Sequence, residues 1–137
     1  MKLQLAVAGF AIALIHPTLG FAQASAPSTH NSVVLAETRT TVYWAVALNP
    51  DCTLVGPTTI RFRKMAQHGT AEIVQEGGFA AFPPGNPRSA CNSHQVTLTK
   101  IYYTSSPDFT GQDSIDMEIF SPNGISKTVD VTIVVKK

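Results

Sequence analysis

The stretch SIDMEIFSPNGISKTVDVTIVV, residues 114–135, decides the fold class. Ile115, Met117 and Ile119 alternate with Ser114, Asp116 and Glu118. Val129, Val131, Ile133 and Val135 alternate with Thr128, Asp130, Thr132 and Val134. A period of two sends successive side chains to opposite faces of a strand. Pro122-Asn123-Gly124 between the two runs carries hairpin chemistry. Two half-buried antiparallel strands joined by a turn therefore close the chain.

The same period extends upstream. Val96, Leu98, Lys100 and Tyr102 alternate with Thr97, Thr99, Ile101 and Tyr103. Ile60 and Phe62 point opposite to Thr59, Arg61 and Arg63, and His68-Gly69 is a turn before a short strand through Ala71, Ile73 and Gln75. Val42, Trp44, Val46 and Leu48 form one face of an earlier strand, stopped by Asn49-Pro50-Asp51. A weaker strand, Val33 to Ala36, leads the domain. About seven short strands with turn signals between them read as all-β, a single immunoglobulin-like antiparallel β-sandwich. Trp44 precedes both cysteines, so the antibody-type Cys…Trp…Cys order is absent.

Composition agrees with one small domain. The chain has 137 residues, 44% hydrophobic and 14% charged, with a formal net charge of +1. It is too short for two ordinary domains and too apolar for a disordered chain. Near-neutrality argues against nucleic acid, whose phosphates demand a basic stripe. Lys2, the uncharged run Leu3–Ile15 and the helix-breaking His16-Pro17 have the order of an export leader. Ala22-Gln23-Ala24 is the favoured cleavage site and Gly20-Phe21-Ala22 the alternative. The expected division is a signal peptide over 1–24, a flexible N-terminus over 25–31 and the sandwich over 32–137. The mature chain is expected in the periplasm or outside the cell, without a membrane span. In an oxidising compartment Cys52 and Cys91 are expected to form a disulfide; free thiols or half of a metal site are the rival readings.

Tyr103-Thr104-Ser105-Ser106-Pro107-Asp108-Phe109-Thr110-Gly111-Gln112-Asp113-Ser114-Ile115 resembles the "Y-T-P…F-x-G-x-D-S-F" signature of bacterial cadherin-like and immunoglobulin-like modules. His68-Gly69-Thr70-Ala71 resembles their "H-G-T-V" turn, and Lys127 to Lys136 their last strand. The resemblance spans roughly residues 30–137. It implies that Tyr103 and Phe109 pack beneath a loop, that Gly111 permits a tight turn, and that Asp113 bonds to loop backbone amides.

Other residues invite functional readings. Glu76 to His94 is nineteen residues with three glycines and three prolines, read as a long loop with a short edge strand at Phe79–Phe82. Phe79, Phe82 and Arg88 within it make a candidate binding surface, or a lid over one end of the sandwich. His68 and His94 are candidate copper or zinc ligands if the fold brings them together. Asp108, Asp113 and Asp116 read as loop capping, with calcium the sharper alternative. Arg61, Arg63 and Lys64 read as a solvated sheet face or edge protection, with an anionic-glycan or partner contact the sharper alternative. No G-x-S-x-G, S-x-x-K or phosphate-binding loop occurs, so no catalytic residue and no cofactor is assigned. The expected function is non-enzymatic binding of a protein or glycan at the cell envelope, the alternative a small copper- or zinc-binding protein.

Overall fold

A computed structural model describes residues 26–137. The expected leader, residues 1–24, lies outside the described residues. The strands are β1 (Ser28–Leu35), β2 (Thr40–Ala45), β3 (Thr59–Lys64), β4 (Gly69–Phe79), β5 (Gln95–Ser105), β6 (Gly111–Phe120) and β7 (Ser126–Lys136), with a short 3-10 helix at Ser89–Ser93. They form a β-sandwich of two sheets, one in the order β1-β7-β6-β3 and the other β2-β5-β4. Among the described residues no helix is long and apolar enough to cross a membrane.

The alternating runs become the long ladders. β6 pairs with β7 from Gly111↔Val135 to Phe120↔Ser126, and β4 with β5 from Gly69↔Ser105 to Phe79↔Gln95. Their inward sets build the core. Ile115, Met117 and Ile119 of β6 and Val129, Val131, Ile133 and Val135 of β7 pack against Ile101 and Tyr103 of β5, with Val34, Val42 and Ile60. Each such side chain contributes roughly 1.5–3 kcal/mol of burial.

Three expectations are corrected. The chain from Ser28 is not a flexible terminus, because β1 begins there and runs parallel to β7 over eight pairs, Ser28↔Val129 to Leu35↔Lys136. The sandwich is therefore not wholly antiparallel. Polar STHN pairs through its backbone, which needs partners whatever side chains it carries. Second, β2 ends at Ala45, and its register shifts between Thr41 and Tyr43. Val42 and Tyr43 both reach the main core, while Trp44 joins a second cluster. Third, β4 continues to Phe79, so Gly77 and Gly78 lie in a ladder and the loop begins only at Ala80. A Cβ on Gly78 would fall 2.8 Å from Leu98 Cδ1. Glycine there makes room for a large residue on β5 and does not signal a loop.

Candidate functional site

One end of the sandwich is closed by a polar corner. Asp113, at 5% exposure, faces inward from the start of β6. Its carboxylate accepts the backbone N–H groups of Gln67 (3.0 Å), His68 (2.8 Å) and Ser114 (2.8 Å). The Tyr103 hydroxyl lies 3.0 Å from the same carboxylate and 3.2 Å from the His68 carbonyl oxygen. Burial on its own pushes the carboxyl pKa up; the three N–H donors and the hydroxyl outweigh it and hold the pKa below the usual value. Burial, and then the facing carboxylate, push the Tyr103 phenol up. Phe109 stacks on the His68 ring at 4.3 Å, and Gly111 turns the chain into β6 at φ +133°, where a side chain would be strained. Every group here is directed at another group of the fold, so the corner is a latch between the β3–β4 connection and β6.

The other end carries the disulfide. Cys52 and Cys91 are bonded, with 39 residues of sequence separation. Cys52 sits at a turn in which the Asn49 N–H donates to the Thr53 carbonyl at 2.8 Å. Leu48, Ala80 and Cys91 form a small second core, with Trp44, Val46, Cys52, Phe82 and Val96 packed against it.

Of the three residues expected to share a binding surface, Phe82 and Arg88 line one shallow pocket with Leu48 and Val55, and Phe79 lies apart from it. Phe79 is 60% exposed at the end of β4. Phe82 turns into the second core, and Asn92 holds its backbone by accepting its N–H (2.8 Å) and donating to its carbonyl (2.9 Å). Arg88 Nε donates to the Leu48 carbonyl oxygen. Phe82→Ala is therefore expected to lower the unfolding free energy by about 2 kcal/mol, less than the 3–5 of a fully buried phenylalanine. Urea titration of the purified variant measures this.

The histidines do not meet. His68 precedes β4 beside the end of β5, whereas His94 precedes the start of β5. The length of β5, roughly 30 Å at about 3.3 Å per residue, separates them. His94 Nδ1 instead lies 3.2 Å from the Ala90 carbonyl oxygen. Among the described residues no group of three or more His, Cys, Asp or Glu is placed to hold a metal ion. The aspartates diverge too: Asp113 faces inward, Asp116 lies on the outer face 3.8 Å from Arg63, and Asp108 sits in an exposed turn.

A cleft of about 480 Å³ opens between the sheets at the disulfide end. It arises because the inward positions of several strands change from apolar to polar there. On β1 buried Val34 is followed, in reverse, by Ser32 and His30. On β7 the inward series Val131, Val129 continues to Lys127, which pairs with Ile119 of β6. Beyond Ile119 comes Ser121. Tyr43, Trp44 and Thr58 complete the wall, with Val42 and Ile119 as the apolar floor. The His30 ring meets the Tyr43 ring edge-on at 5.5 Å, and Lys127 Nζ stands 5.9 Å from the Tyr43 ring centre. Among the described residues no carboxylate lines the cleft, and Lys127 is its one lysine or arginine. His30, Ser32, Ser121 and Lys127 continue the inward parity of core strands, a cue present in the sequence, whereas Tyr43 enters through the register shift in β2, which the sequence does not signal.

No family model matches the sequence, and no curated protein does. Among solved structures, the chain is similar to the solution structure of Amebosin, at 12% identity and a TM-score of 0.39, over 81% of this chain and 100% of that one.

Proposed function

We propose that this protein is an exported, non-enzymatic binding module of the immunoglobulin-like and cadherin-like kind, and that its cleft takes an acidic sugar unit of a cell-envelope glycan. The observation that carries the reading is the cleft lining: aromatic Tyr43 and Trp44, the hydroxyls of Ser32, Thr58 and Ser121, and the Lys127 amine, with no carboxylate among the described lining residues. Aromatic faces stack on sugar rings, hydroxyls exchange hydrogen bonds with them, and the amine selects a carboxylate. The volume lies in the usual range for small-ligand sites. Export rests on the sequence of the first 24 residues and agrees with the Cys52–Cys91 bond.

Trp44 is the sole tryptophan and lines the cleft, so its fluorescence reports occupancy. Titration with uronic-acid oligosaccharides is expected to give a saturable change, and neutral oligosaccharides of equal length a weaker one. Lys127→Ala is expected to weaken acidic binding about fivefold, equivalent to about 1 kcal/mol for an exposed ion contact. Its unfolding midpoint should stay at the wild-type value. Equal binding by Lys127→Ala, or no response to any oligosaccharide, overturns the reading. A response to acidic peptides alone would move the partner class from glycan to protein.

A further inference from the structure

Two open sheets have four edge strands, and here they are β1, β3, β2 and β4. An edge displays unpaired N–H and C=O groups, and proteins guard it with charge, proline or a bulge. β3 carries Arg61, Arg63 and Lys64 and a register shift between Phe62 and Lys64. β4 carries Glu72 and Glu76. β2 has its own register shift, and its residues form a wall of the cleft. β1, STHNSVVL, has no charge, no proline and no register shift along eight pairs. It is the one unguarded edge among the described residues.

The backbone shows which of its groups are free. The Ala36 N–H donates to the Lys136 carbonyl at 2.7 Å. In a parallel ladder one residue directs both its groups to one neighbour, and the next residue directs both away. Even-numbered positions of β1 therefore bond to β7, and Thr29, Asn31, Val33 and Leu35 direct their N–H and C=O outward. The side chains follow the same parity. Val34 is buried, while Val33 and Leu35 are 63% and 58% exposed, with Val33 paired to Val134.

We propose that β1 is a self-association edge: a second copy of this chain pairs with it antiparallel, about a two-fold axis at Val33, to continue the four-stranded sheet across both molecules. That axis sets Val33 against Val33 of the second copy and Asn31 against its Leu35, all drawn from the outward-directed set. The edge complements itself, since an uncharged strand meets its copy without a like-charge pair. The axis also brings the two exposed valine pairs side by side on one outer face. A single eight-residue edge buries well under the roughly 1,200 Å² of a stable interface, so the dimer is transient, with a dissociation constant in the micromolar range or weaker.

Sedimentation equilibrium of the chain as processed by its cell, up to about millimolar concentration, tests this. The expected result is a monomer–dimer equilibrium that Val33→Lys weakens at least about tenfold, by placing a charge on the edge. Ile125→Lys changes an equally exposed residue in the β6–β7 turn and is expected to leave the equilibrium unchanged. Val33→Cys keeps the proposal testable should Val33→Lys not fold. A hydrogen-bonded antiparallel pair has Cα atoms about 5.5 Å apart, within disulfide reach, so this variant is expected to cross-link on oxidation. A chain monomeric throughout overturns the proposal. So does dimerisation undiminished by Val33→Lys, or a folded Val33→Cys that stays uncoupled.

Discussion

Replacing Asp113 by alanine is expected to lower the unfolding free energy by about 3–5 kcal/mol. The carboxylate is the common acceptor of three backbone N–H groups and within hydrogen-bond distance of the Tyr103 hydroxyl. Alanine leaves these donors without their partner where water enters poorly, and an unsatisfied buried donor costs about 1–3 kcal/mol. Against a total stability of about 5–15 kcal/mol, the variant folds marginally. The same group makes the protein acid-sensitive. Its folded pKa is held below the unfolded value, so its contribution is fully present above the unfolded pKa of about 3.9 and is lost as pH falls through the folded pKa. Denaturant titrations at neutral pH and near pH 3 measure both effects. Wild type is expected to lose stability between them, and the variant to lose less.

Removing the disulfide with paired Cys52→Ser and Cys91→Ser substitutions is expected to cost about 4 kcal/mol. The bond closes a loop with 39 residues of sequence separation, and closure entropy for that length gives this figure in the chain-entropy model. The damage should concentrate at one end. Cys91 is fully buried beside Leu48 and Ala80, and without the bond the turn bearing Cys52 is held to the 80–94 segment chiefly by Arg88 on the Leu48 carbonyl. Amide exchange is expected to accelerate in residues 46–55 and 80–94 well before the β6–β7 ladder opens. Uniform acceleration would show instead that the second core and the main core unfold as one unit.

These two expectations concern the parts most legible in the sequence. Strands β6 and β7 are legible because apolar and polar residues alternate along them, and the disulfide because the sequence has two cysteines, both beyond the expected leader. The motif resemblance implies that Asp113 bonds to loop backbone amides, and it does, but its partners Gln67 and His68 lie 46 and 45 residues away and no local pattern names them. β1 was not readable over Ser28–Asn31, because pairing by backbone alone leaves no apolar alternation. Phe79 and Phe82 look like one surface in sequence. The ladder ends at the Phe79↔Gln95 pair, and the chain then turns Phe82 beneath itself. The cleft is the least legible part, since His30, Tyr43 and the Ser121–Lys127 turn region lie far apart in sequence and meet only when the two sheets pack.

Titration of the isotope-labelled chain with a uronic-acid oligosaccharide, followed by NMR, tests the cleft most directly. The predicted result is a set of saturable shifts at His30, Tyr43, Lys127 and the Trp44 indole N–H, with the Asp113 corner unchanged. An unchanged spectrum at large ligand excess, or shifts confined to Phe79–Asn92, would contradict it.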